Sequence, residues 1–240
     1  MPAGRNLAVP GRTGLMLQND SIHRLNFRYP DEKKGLIPWI TPALLISGGT
    51  ALHFMTGTKK NVRDFMQENL TYNDHFDDYM QFAPLVTVYA LNLCGIKGKN
   101  NFGNRTAIAL KSFLLNDFIA WQLKYRVNAK RPSGGGHSFP SGHTARAFAF
   151  AHFMHKEYGK VNPWYSIGAY SCAATVGCMR MAKNAHWISD VVMGAGIGIL
   201  STELVYLTHQ YKWDNEHMKR FDIFPFRLAK QKGITMVYHF

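Results

Sequence analysis

The sequence predicts an all-α fold in the form of a six-helix transmembrane bundle, and three observations support this prediction. Most of its apolar segments approach the roughly 20 residues that a helix needs to cross a bilayer. These segments mix small and large apolar residues and lack the alternation that strands show. Lysine and arginine are distributed unevenly between the connecting loops. The six apolar segments are residues 36–57, 79–95, 106–123, 144–155, 164–181 and 187–209.

The loop charges assign an orientation to the predicted bundle. If both chain ends lie in the cytoplasm, the cytoplasmic stretches hold more Lys and Arg than the opposite loops, as the positive-inside rule requires. The mean hydropathy of −0.19 is equally compatible with a soluble helical bundle. A soluble helical bundle would also accommodate the charged residues inside these segments, which are Lys111, Asp117, Arg146 and Glu203. The loop charges therefore decide in favour of the membrane.

The same pattern divides the chain into three parts. Residues 1–35 form a basic N-terminal segment without the apolar run that is typical of a signal peptide. Residues 36–210 form the helical domain, and residues 211–240 form a basic C-terminal tail.

The composition indicates an anionic partner. The chain has 28 Lys and Arg residues against 15 Asp and Glu residues, which gives a net charge of +13. An anionic membrane surface or a phosphorylated substrate suits this excess. No nucleic acid partner is expected, because no zinc-finger, homeodomain-like or basic-zipper pattern occurs. The three cysteines lie in apolar stretches without a CxxC spacing, so we expect neither a disulfide framework nor a zinc site.

Three short motifs follow one another and together indicate phosphoryl chemistry. The first is Lys124 with Arg131-Pro132, the second is Pro140-Ser141-Gly142-His143, and the third is Arg180 with His186 and Asp190. A phosphoryl group in transfer spreads negative charge over its oxygens and needs fixed donors around them. We expect the side chains of Lys124, Arg131 and Arg180 to form this cationic cage.

The second and third motifs supply the remaining groups. Ser141 and Gly142 immediately precede an apolar run, which places free backbone N–H groups and a capping hydroxyl at a helix N-terminus. His186 and Asp190 are four residues apart, so on a helix the carboxylate orients one imidazole nitrogen and frees the other to attack phosphorus. His143 then protonates the leaving oxygen and later activates water.

Two alternative interpretations of these residues are weaker. His143, His186 and Asp190 could bind a metal, but three basic residues nearby would repel a cation, so we expect no metal and no other cofactor. Gly194, Gly196 and Gly198 superficially resemble a nucleotide-binding fingerprint, although Ile199 occupies the third glycine position. Close helix packing is the better interpretation of these glycines.

As they stand here, the three motifs resemble the signature of the type 2 phosphatidic acid phosphatase superfamily. Its members include membrane lipid phosphatases, soluble bacterial acid phosphatases and vanadium haloperoxidases. The resemblance covers residues 124–190 and implies metal-free catalysis. It implies that His186 is the nucleophile, that Asp190 orients His186, and that His143 is the general acid. By the same resemblance, phosphate is bound by Lys124, Arg131, Ser141, Gly142 and Arg180. One departure is Met179, where the family usually has a serine.

The leading hypothesis is therefore a membrane phosphatase that hydrolyses a phosphate monoester or pyrophosphate of an envelope lipid through a phosphohistidine. Lipid A and undecaprenyl pyrophosphate are candidate substrates. We expect the protein in the bacterial inner membrane, with its active site at the non-cytoplasmic end of the bundle and facing the periplasm. The alternatives are a soluble periplasmic acid phosphatase, a vanadate-dependent haloperoxidase and a non-catalytic membrane scaffold. The sequence does not define an oligomeric state.

Overall fold

The computed structural model describes residues 36–70, 72–209, 221–228 and 231–238. Its helical region, within residues 36–209, confirms the predicted helical fold. Six helices coincide with the six predicted apolar segments. They are α1 (Ile37–Phe54), α4 (Ala83–Leu93), α5 (Phe102–Val127), α6 (Gly142–Tyr158), α7 (Pro163–Ala182) and α8 (Ile188–Thr208). The predicted N-terminal segment, 1–35, lies outside the described residues, and the division into three parts stays a prediction.

The predicted count of six helices is not confirmed, because the described residues contain two further helices. These are α2 (Thr56–Asn69) and the short α3 (Phe76–Met80), both between α1 and α4. A search for apolar segments misses α2 because most of its side chains are polar and Met66 is its buried residue. The amide of Gln67 fastens α2 to the end of α7 by donating to the backbone oxygens of Met181, at 3.2 Å, and Ala182, at 2.9 Å.

Among the described helices, α8 is the one that is long and apolar enough to cross a membrane by length and composition. Of the 18 residues in its most apolar stretch, 67% are buried against the rest of the described chain. The core helix of a soluble protein has the same property. The eleven residues of α4 extend over roughly 17 Å, well short of the roughly 30 Å of a bilayer core. Six membrane crossings therefore remain a prediction.

An unpartnered apolar face runs along α5. Leu110, Leu114, Phe118, Trp121 and Tyr125 follow one another at helical spacing, and each is between 55% and 59% exposed. Such a continuous apolar face is unusual at a water-exposed surface and marks contact with an apolar environment or a partner.

The centre of the helical region is α8, which packs against α1, α5 and α6. Its contact with α6 depends on glycine. A Cβ on Gly194 would lie 2.7 Å from the backbone oxygen of Ser141. A Cβ on Gly198 would overlap the backbone oxygen of Ala145 and lie 2.7 Å from the nitrogen of Ala149. These distances confirm the packing interpretation of the glycines, because two backbones can approach so closely only without side chains between them.

The C-terminal tail contains a feature that the sequence analysis did not predict. Strands β1 (Phe221–Leu228) and β2 (Gln231–Tyr238) form a two-stranded antiparallel sheet, with Phe221 opposite Tyr238 and Leu228 opposite Gln231. Both strands are rich in aromatic and β-branched residues, which favour extended structure. Pro225 is compatible with β1 because both strands of a two-stranded sheet are edge strands.

We predict that Gly198→Ala destabilises the protein by about 1–3 kcal/mol, because its new methyl group would force α6 and α8 apart. The free energy of unfolding of the detergent-solubilised protein, followed by circular dichroism, measures this effect. Gly168→Ala, on α7, is the matched control, because nothing lies within 4 Å of its added Cβ. Equal stability of the two variants would contradict the tight-packing account.

Candidate active site

All eight predicted site residues lie at or next to neighbouring ends of α5, α6, α7 and α8. The last turns of α5 and α7 carry basic residues, and the first turns of α6 and α8 carry the backbone N–H groups and the carboxylate. This polarity suits an anion, because helix N-termini bear partial positive charge. The residues are Lys124 on α5, Arg131 after it, Ser141, Gly142 and His143 at the start of α6, Arg180 on α7, His186 after it and Asp190 on α8.

His186 and Asp190 form a buried pair. Nδ1 of His186 lies 3.3 Å from Oδ2 of Asp190. The pair is not carried by one regular helix, because α8 begins only at Ile188; the two side chains meet across its first turn. The same carboxylate oxygen accepts hydrogen bonds from the hydroxyl of Ser138 and from the backbone nitrogen of Trp187, at 3.0 Å. With Nδ1 oriented by a carboxylate, Nε2 of His186 is the nitrogen that can attack a ligand.

The surroundings of His186 keep its ring neutral. Burial lowers the pKa of His186 to about 4; Asp190 opposes this shift, whereas Lys124 and Arg180 add to it. Near neutral pH the imidazole therefore carries a lone pair, as a nucleophile requires. A carboxylate partner orients the ring while the nearby cations disfavour its protonation.

Lys124 reaches the start of α6. Its ammonium group donates to the backbone oxygen of His137 at 3.1 Å. A Cβ on Gly142 would lie 3.9 Å from Cε of Lys124, which places this side chain beside the N-terminus of α6. Burial and the neighbouring Arg131 lower the pKa of Lys124 to about 8, while Asp190 opposes the shift. The group is thus largely cationic at neutral pH.

Two guanidinium groups offer donors without partners. The Nε atoms of Arg131 and Arg180 are buried and have no hydrogen-bond partner among the described residues. Buried donors of charged groups are rarely left unsatisfied, because desolvation without a compensating bond is costly. The oxygens of a phosphate group would satisfy both.

Ser141 acts as the N-cap of α6. Its hydroxyl oxygen accepts from the backbone nitrogen of Thr144 at 3.5 Å and from the Thr144 hydroxyl at 2.9 Å. Its own backbone nitrogen donates to the backbone oxygen of Asp190 at 3.0 Å, which joins α6 to α8. The capping interpretation is confirmed, and phosphate binding by Ser141 stays a prediction.

The sequence analysis missed three acidic or polar residues that touch the site. Ser138 donates to Asp190, and the short α3 contributes two aspartates. Asp77 is fully buried and accepts from Nη1 of Arg180 at 2.5 Å. Asp78 lies 2.7 Å from Nε2 of His143. Neither aspartate stands in one of the three motifs, so their contacts are visible only in the folded chain.

These contacts set the charge state of the predicted general acid. Burial and Arg180 lower the pKa of His143, while the hydrogen bond with Asp78 raises it. In turn, the partly exposed carboxyl of Asp78 has a lowered pKa because His75 and His143 donate to it, burial acting against them. Asp78 therefore helps His143 to hold a proton.

Within the described residues, Asp77, Asp78 and His143 are close enough together to hold a metal ion. One potential ligand atom from each lies within 4.8 Å of the others. However, Asp77 is paired with Arg180 and with Lys183, at 3.5 Å. Two fixed cations already compensate this carboxylate and would repel a metal ion. The donor set therefore fits an ion-pair network better than a metal site.

The chain is similar to known proteins over its helical part. The family model of the PAP2 superfamily matches residues 90–214. Lipid A 1-phosphatase of Porphyromonas gingivalis is 37% identical over 57% of this chain and 31% of its own length. Lipid A 4'-phosphatase of Bacteroides thetaiotaomicron is 38% identical over 35% of this chain and 36% of its own length. The chain thus spans about a third of the length of these curated relatives.

A solved structure shares the fold. The crystal structure of a transmembrane PAP2 type phosphatidylglycerolphosphate phosphatase from Bacillus subtilis superposes with a TM-score of 0.52 at 20% identity. The match covers 74% of this chain and all of the solved one. The family match extends over more than half of the sequence and includes all eight predicted site residues. The chain belongs to the PAP2 superfamily.

Proposed function

We propose that this protein is a phosphatase that removes a phosphate group from a lipid of the bacterial envelope. The observation that carries the proposal is the pair of buried, unsatisfied guanidinium Nε atoms of Arg131 and Arg180, near a neutral His186. Together they provide a place for a phosphate and a nucleophile for its phosphorus.

The proposed reaction has two steps. In the first, Nε2 of His186 attacks phosphorus while His143 donates its proton to the leaving oxygen, which yields the free alcohol and a phosphohistidine. In the second, His143 takes a proton from water, the resulting hydroxide attacks the phosphohistidine, and His186 is released with inorganic phosphate. Asp190 holds Nδ1 of His186 throughout.

The cationic groups stabilise the charge that moves during both steps. Lys124, Arg131 and Arg180 surround the phosphoryl oxygens, and the first N–H groups of α6 at Gly142 and beyond face the same anion. Because these donors are held at helix ends by hydrogen bonds and burial, they need little reorganisation when the transition state forms. Ser141 contributes through its cap, which holds the start of α6 in place.

The lipid nature of the substrate is proposed on two grounds. The exposed apolar face of α5 suits contact with acyl chains and disfavours the soluble acid phosphatase alternative. The two curated relatives are named for removing phosphates from lipid A, one at position 1 and the other at position 4'. We therefore favour lipid A over undecaprenyl pyrophosphate. The loop charges favour the inner membrane, with the site facing the periplasm.

His186→Ala should lower the rate of phosphate release from lipid A by roughly 10⁴-fold or more, because it removes the nitrogen that forms the proposed covalent intermediate. Released phosphate is measured with the purified protein in detergent micelles. His155→Ala, an exposed histidine near the opposite end of α6, is the control and should retain activity. Full activity of His186→Ala would rule out the mechanism, and lack of release by the unaltered protein would rule out the substrate.

Asp78→Asn should move the basic limb of the pH profile of kcat/KM to lower pH. Asp78 raises the pKa of His143, so its removal lets the general acid lose its proton at lower pH. We also expect a roughly tenfold lower rate, which corresponds to one charge-assisted hydrogen bond. The measurement is phosphate release from lipid A as a function of pH.

Asp74→Asn is the matched control for Asp78→Asn, because it removes a neighbouring exposed carboxylate whose described side-chain bond is to the backbone nitrogen of His75. Its pH profile should remain unchanged. If Asp78→Asn lowers the rate without moving the pH profile, its role is structural rather than electrostatic.

A further inference from the structure

A second basic pocket lies beside the catalytic end, which is the end of the helical region where α5, α6, α7 and α8 carry the predicted site residues. It has a volume of about 240 Å³ and is lined by four parts of the chain: the end of α1, the start of α2, the loop between α5 and α6, and the loop between α7 and α8. A single water needs roughly 30 Å³, so the pocket has room for a phosphate and part of the molecule that carries it. Its polar and aromatic lining consists of His53, Thr56, Lys59, Lys60, Lys130 and Trp187.

The charges of this pocket are not compensated. Lys59, Lys60 and Lys130 contribute three ammonium groups, and none of them is paired with a carboxylate within the part of the chain that the structure describes. Nδ1 of His53 is buried and has no hydrogen-bond partner among the described residues. Cations gathered in a cavity without counter-charges attract an anion.

One of these ammonium groups is held in place. Nζ of Lys59 donates to the backbone oxygen of His53 at 2.6 Å and lies 5.6 Å from the ring centroid of Trp187. A cation fixed by a carbonyl and an aromatic face loses little further conformational entropy when it binds an anion. Lys60 and Lys130 are exposed at the pocket mouth.

The pocket shares its walls with the catalytic site. Trp187 directly follows His186, and its indole nitrogen donates to the backbone oxygen of Lys130 at 2.8 Å. Lys130 in turn directly precedes Arg131. A ligand group in the pocket is therefore next to the phosphate-binding residues, separated from them by the Trp187–Lys130 hydrogen bond.

We propose that this pocket binds a second phosphate group of the same substrate molecule, one that is not cleaved. The inference rests on the proposed function, since it extends the binding site of the lipid phosphatase. A lipid with two separated phosphates would place one in the cationic cage and the other among the lysines. The enzyme would then prefer such a lipid to one that carries a single phosphate.

The test compares lipid A that carries phosphates at positions 1 and 4' with the same lipid carrying only the phosphate that is cleaved. With the unaltered protein, KM should be lower for the two-phosphate lipid. Lys60→Gln and Lys130→Gln, made singly, should each raise that KM about fivefold. They should leave kcat, and the KM for the one-phosphate lipid, unchanged.

Arg126→Gln is the matched control. It removes the same charge from an exposed position in the last turn of α5, at the catalytic end but outside the pocket. Its KM for both lipids should equal that of the unaltered protein. A fivefold rise in this control would overturn the proposal, because it would reveal a general effect of surface charge.

Two further outcomes would overturn the proposal. If the lysine variants change KM equally for both lipids, the pocket does not bind a second phosphate group of the substrate. If inorganic phosphate inhibits the unaltered protein but not the variants, while both lipids have the same KM, the pocket binds free phosphate instead. Either outcome differs from failure of the proposed function, in which no phosphate is released from either lipid.

Discussion

The close backbone contact between α6 and α8 determines the geometry of the catalytic end. Gly194 lets the start of α8 approach Ser141, and the backbone nitrogen of Ser141 donates to Asp190 across this contact. As a result, one backbone hydrogen bond joins Ser141, which caps α6, to Asp190, whose carboxylate orients His186. A wider helix spacing would separate His143 from His186, because each side chain is fixed to its own helix end.

The electrostatics of the site follow from this geometry. Four helix ends bring three basic side chains together, and burial strengthens the effect of each charge on its neighbours. Burial lowers the pKa of His186, and the cations Lys124 and Arg180 add to this shift. Burial also lowers the pKa of Lys124, and Arg131 adds to it. The cations that favour an anionic substrate therefore help burial to keep the nucleophile neutral. Asp77 compensates part of this charge through its bond with Arg180.

The sequence predicted the features that repeat along the chain or sit in short motifs. The six apolar helices and the meeting of Lys124, Arg131, His143 and His186 at one end belong to this class. It did not predict α2, because most residues of α2 are polar, or α3, because α3 is short. It also did not predict the hairpin, which lies in the tail, outside the six apolar segments. Nor could it predict Asp78 beside His143 or Asp77 beside Arg180. These pairs are 65 and 103 residues apart, and single aspartates carry no signal of their partners.

The most direct test of the account is the identity of the covalent intermediate. In His143→Ala, an activated aryl phosphate can still transfer its phosphoryl group, because its phenolate leaves without a proton, whereas the water that would attack next lacks its base. Mass spectrometry after an alkaline quench should then find one phosphoryl group on the peptide that contains His186. A phosphoryl group on another side chain, or release of the phenolate without any phosphorylated peptide, would contradict the account.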